Sequence, residues 1–74
     1  MPAAESFPVL RLLEPRLSGP AFHRLRREIP GAARTRGALD LPLAEHSPEE
    51  LLALCLRLGV TARGTRIVRG GRSG

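Results

Sequence analysis

Few residues in this chain could do chemistry: Ser47 beside His46, one thiol at Cys55, a second imidazole at His23, and twelve basic residues, all arginine. Ser47 next to His46 suggests a nucleophile and its base, but such a pair also needs an acidic group to orient the imidazole, and no motif places one. "SPEE" at 47–50 fits another task better. A serine followed three residues later by a glutamate is a capping box, each side chain satisfying a backbone N–H at the start of a helix. His23 stands among Arg24, Arg26 and Arg27 and reads as a partly exposed surface residue. Cys55 stands among leucines, an apolar setting that raises a thiol pKa and leaves it inert. A metal needs three or four ligands, which one Cys and two separated His do not supply. The expectation is no catalytic, metal-binding or cofactor-binding residues, and no enzyme.

The arginines need more care. Net charge is +5 with no lysine at all, in a chain rich in Ala, Gly, Pro and Leu. That composition looks like the coding bias of a GC-rich genome, so a high pI alone is not a nucleic-acid signature. Distribution says more than the sum. Residues 1–23 are balanced; residues 24–36 carry five arginines against Glu28; residues 37–56 carry Asp40, Glu45, Glu49 and Glu50 with no base; residues 57–74 carry five arginines with no acid. Blocks of alternating sign can satisfy one another within or between subunits, and they create local fields that steer partners.

Length allows one small domain, 1–69, followed by a disordered Arg/Gly tail at 70–74. Domains of this size commonly have only about 3–5 kcal/mol of stability, which makes partner burial valuable. A single cysteine excludes an internal disulfide. The start, "MPAAESFPVLRLLEPRL", lacks the basic and continuous apolar regions of a signal peptide. No apolar run approaches a membrane span, so the expected compartment is the cytoplasm, with no membrane partner.

The elements follow from local signals. Val9, Leu10, Leu12 and Leu13, between Pro8 and Pro15, do not alternate strictly and lean to a short helix. Ser18 and Pro20 open an amphipathic helix carrying Phe22, Leu25 and Ile29, ended by Pro30 and Gly31. "GAARTRG" reads as a loop. Leu39, Leu41 and Leu43 alternate with Asp40 and Pro42 as a strand at 38–43, on an edge or with the Pro42 nitrogen facing outward. Helix 48–58 is capped by Ser47 and stopped by Gly59. "TRIVR" favours a strand at 64–69. The fold class expected is therefore α+β: one or two N-terminal helical segments, then a β-α-β unit whose two strands are parallel neighbours, with an all-α arrangement as the alternative.

Helix 48–58 is apolar around its whole circumference, the mark of burial on more than one side. Either the N-terminal segment covers its second face, or that face is an interface. Two leucines there would contribute about 1.5–3 kcal/mol each when a partner buries them. The function expected is a protein-binding module, an adaptor, regulator or small subunit that forms a dimer or a hetero-complex. Its interface uses Leu52 and Leu56, with Arg24 and Arg27 fixing orientation.

A rival comes from residues 49–71. "EELLALCLRLGVTARGTRIVRGG" resembles the helix-turn-helix of small bacterial repressors, in which a leucine-rich helix ends in "LGV" and a recognition helix follows. The resemblance implies a DNA-binding regulator with a helix-turn-helix-like segment at 49–70, Arg63 and Arg66 facing the groove, and Arg69 and Arg72 on phosphates. The same "LGVT" also suits a helix-to-strand turn. With only Phe7 and Phe22 as aromatics, a base-stacking platform is not expected.

Overall fold

In the computed structural model, residues 6–71 are described. The elements run β1 (Ser6–Leu13), α1 (Gly19–Glu28), β2 (Ala33–Thr35), β3 (Ala38–Pro42), α2 (Pro48–Leu58) and β4 (Gly64–Gly71). One four-stranded sheet has the order β2-β3-β1-β4, with every neighbouring pair antiparallel. The β1-α1-β2 connection straddles β3, and β3-α2-β4 straddles β1. Two interleaved crossovers of this kind are the split β-α-β arrangement of ferredoxin-like folds, a topology that hosts many functions and names none.

The core lies between one face of the sheet and the two helices. Leu10 and Leu12 of β1, and Leu39 and Leu41 of β3, meet Leu25 and Ile29 from α1 and Leu51, Leu54 and Cys55 from α2. Among the described residues no polar or charged side chain is buried, so the core carries no desolvated charge.

The expected N-terminal helical segment at 9–13 is instead β1, and the all-α alternative falls with it. β1 is a central strand: Val9 pairs with Pro42 on one side and Val68 on the other. Leu10 and Leu12 face the helices and belong to the core cluster, while Val9 is buried outside that cluster, on the face it shares with Arg11, so alternation is lost. That loss is what resembled helical periodicity. β3 and β4 are likewise not parallel neighbours, because β1 lies between them and is antiparallel to both. Part of the expected loop, Ala33–Thr35, forms β2. β4 continues through Gly70 and Gly71, two residues past the expected end at 69, while the rest of the expected tail lies outside the described residues.

Two prolines sit inside this sheet at tolerated places. Leu43 N–H donates to the Pro8 carbonyl at 3.1 Å, and Glu14 N–H donates to the Gly37 carbonyl at 3.0 Å. Even-numbered residues of β1 therefore bond towards β3. Alternation of the ladder then turns the nitrogen of Pro42 towards β2, at a position where β2 has already ended. β3 is thus an interior strand whose proline disrupts no ladder bond.

Helix ends follow their local signals. Ser18 Oγ accepts from Ala21 N–H at 3.1 Å, with Pro20 in the first turn of α1. On α2, Ser47 Oγ accepts from Glu50 N–H at 3.2 Å while Glu50 Oε1 accepts from Ser47 N–H at 2.8 Å. Gly59, at φ 78°, occupies the left-handed region that closes α2 at little cost to a residue without Cβ.

Candidate protein-binding surface

α2 turns Leu51, Leu54 and Cys55 into the core and leaves Leu52 and Leu56 on its outer side, 41% and 77% exposed. At 100° per residue these two leucines lie within about 40° of each other on the cylinder, but Leu56 also lines an open cleft with Glu28 of α1, His46 and Arg57, whereas Leu58 lines one with Arg24, Arg27 and Glu28. Among the described residues, the N-terminal segment expected to cover them forms β1, in the sheet beneath the helices.

Sheet order decides what stands beside those leucines. α1 crosses above β3, and α2 above β1, so the side of α2 away from α1 faces the β4 edge. Ile67 of β4 pairs with buried Leu10, which places it on the helix-bearing face of the sheet, yet it is 58% exposed. Ile67 is thus an exposed apolar side chain on the helix-bearing face of the edge strand, and Leu52 and Leu56 are exposed one turn apart on α2. Ile67 was not singled out from the sequence; "TRIVR" identifies a strand, but not that the strand is an edge.

Arg24 and Arg27 lie elsewhere. They are exposed on α1 and line an open cleft of about 600 Å³ with Glu28 and Leu58, on the α1 side of α2. Glu28 lines both this cleft and the one that Leu56 lines, so the two arginines adjoin the cleft of Leu56 without sharing it, and Leu52 lines neither.

The arginines of the DNA-binding alternative are not presented along a helix. The segment expected as a recognition helix is β4, so Arg66 and Arg69 project to opposite faces of the sheet. Arg63 precedes the strand and meets Glu14 Oε1 at 3.4 Å, and Arg72 lies outside the described residues. On the open face of the sheet, Arg66, Arg11 and Asp40 form a row across β4, β1 and β3. Asp40 takes both prongs of Arg11, Nε to Oδ1 at 2.7 Å and Nη2 to Oδ2 at 2.8 Å. Hydrogen bonding to that carboxylate, then its charge, raises the Arg11 pKa further above its ordinary value. Sequence reading missed this pair, whose members are 29 residues apart.

The chemically capable groups stand apart. Ser47 Oγ is engaged with the α2 backbone, and His46 Nδ1 lies 4.0 Å from Glu50 Oε1. Among the described residues no group of three His, Cys, Asp or Glu could hold a metal ion, and no helix is long and apolar enough to cross a membrane. Cys55 is buried, and burial pushes its thiol pKa up. Alkylation by iodoacetamide is expected to run roughly a hundredfold slower in the folded chain than in urea, because the thiol reacts only when the domain opens. Equal rates would show an accessible Cys55. The raised value also has a defined sign: its contribution to stability is full below the ordinary thiol pKa and lost as pH rises through the folded value.

No protein-family model matches this chain, and no significant match was found among curated proteins or among solved structures.

Proposed function

We propose that this chain is a cytoplasmic, non-catalytic protein-binding module, an adaptor, regulator or small subunit, that docks a partner on the outer side of α2 and the adjoining β4 edge. The observation that carries this reading is the exposure of Leu52 and Leu56 one turn apart on α2, with Ile67 exposed on the helix-bearing face of edge strand β4, in a domain whose other leucines are mostly packed. Exposed apolar side chains gathered in one place mark interaction sites more often than singly scattered ones do. Arg24 and Arg27, with their exposed positive charge on α1, steer and orient the encounter from outside the apolar contact. The partner is another protein or a second copy of the chain. The segment that the helix-turn-helix alternative needs as its second helix is strand β4.

The test pairs sedimentation equilibrium with recovery of proteins retained by the tagged chain in its own host, for wild type and for Leu52→Glu/Leu56→Glu. The double variant is expected to lose a specific partner, or self-association, by at least roughly tenfold per leucine. Its folding stability should change by less than about 0.5 kcal/mol per site, since both residues are exposed. A wild-type chain that is monomeric and retains nothing the double variant loses overturns the reading.

A further inference from the structure

We propose that the outer edge of β4 is a strand-addition site for an extended acidic segment of the partner protein. The inference rests on the protein-binding reading above and supplies the chemistry of the partner.

The two edges of the sheet differ. β2 is three residues long, the short form in which edges are ordinarily kept from pairing. β4 is eight residues long, contains no proline, and has no neighbour on its outer side among the described residues. Its backbone parity is fixed from within. Even-numbered residues of β1 bond towards β3, so odd-numbered residues of β1 bond to the even-numbered residues of β4 that face them. Thr65 and Ile67 therefore direct their N–H and C=O groups away from the sheet. These are the groups an added strand uses, main-chain bonds giving affinity and alternate side chains giving specificity.

Side chains define what the strand must carry. On the helix-bearing face an incoming residue lies beside exposed Ile67, and an apolar residue is favoured. On the open face it lies beside Arg66, whose cross-strand neighbour Arg11 already holds Asp40 in both prongs. An acidic residue is favoured there. From residue 51 to residue 74 the chain has five arginines and no acid. A second copy pairing along β4 would bring two such strands together, and like charges across a strand pair are destabilising. The same charge that bars self-pairing selects an acidic strand with an acidic residue beside Arg66 and an apolar one beside Ile67.

The test titrates the ¹⁵N-labelled full chain with a blocked nonapeptide of alternating Glu and Val, and with its Lys/Val counterpart. The Glu peptide is expected to bind at least roughly tenfold tighter than the Lys peptide, with the largest amide changes at Thr65 and Ile67. Ile67→Pro deletes an outward N–H that β1 does not use, and should abolish binding. Arg66→Glu, at an exposed site that does not threaten the fold, should reverse the preference towards the Lys peptide. Absence of binding at millimolar peptide, equal binding of both peptides, amide changes confined to α1, or self-association of the free chain through β4 would each overturn the proposal. A partner lost by Leu52→Glu/Leu56→Glu but retained by Arg66→Glu would leave the module reading standing and remove strand addition alone.

Discussion

Leu25→Ala is expected to abolish cooperative folding at 25 °C. Leu25 is 0% exposed and lies where α1 meets the sheet, in one cluster with Ile29, Leu39 and Leu41. Truncating a fully buried leucine costs about 3–5 kcal/mol, part transfer free energy and part the cavity left behind. A domain of this size has a total stability of about the same magnitude. The neighbours that would have to collapse into the gap are held by strand pairing of β3 to both β1 and β2, so relaxation recovers little. Urea unfolding followed by far-UV circular dichroism checks this. Wild type should show a single transition and Leu25→Ala little native signal in water. Leu56→Ala, at the other extreme of exposure, provides the contrast within the same experiment. A Leu25→Ala midpoint close to that of wild type would contradict the packing described for α1.

Gly31→Ala is expected to destabilise the domain by about 1–3 kcal/mol, the range for forcing an extra carbon into a filled space. A Cβ built on Gly31 would lie 2.7 Å from Cγ of Pro42, a ring closed onto its own backbone that cannot swing aside. This glycine lets the chain leaving α1 pass against the end of β3. Gly19 supplies the matched control. Apart from its chain neighbours, nothing lies within 4 Å of a Cβ there. Gly19→Ala gains from the lost entropy of the unfolded chain but sets a Cβ in a helical residue before Pro20, so the two terms oppose and the net change should be smaller than for Gly31→Ala. Thermal unfolding of both variants checks this. A Gly31→Ala loss no larger than the Gly19→Ala change would show that the approach of Gly31 to Pro42 is not tight.

The clearest parts of this protein in its sequence are those set by neighbours a few residues apart. Ser47, Pro48, Glu50 and Gly59 start and stop α2 through backbone hydrogen bonds and one left-handed residue, and these contacts are made within a turn of each signal. Ser18 and Pro20 do the same for α1, and the spacing of Leu39 and Leu41 marks the buried face of β3. The all-round apolar character of helix 48–58 predicts burial on more than one side, whereas α2 buries Leu51, Leu54 and Cys55 and leaves Leu52 and Leu56 exposed.

What the sequence left open was every property that depends on which strand lies beside which. The run from Val9 to Leu13 carries no strict alternation because Val9 is buried on the face opposite Leu10 and Leu12, and its strand neighbours come from residues some thirty and sixty positions later. Without β1 as the central strand, 38–43 and 64–69 read as parallel partners; with it, β4 becomes an edge. That one placement decides that Ile67 is exposed, that Arg11 reaches Asp40, that Arg66 and Arg69 part to opposite faces, and that Leu52 and Leu56 stay uncovered. Helix caps are local hydrogen bonds and can be read locally. Sheet order is a competition among distant segments for the same backbone groups, and only the folded chain resolves it.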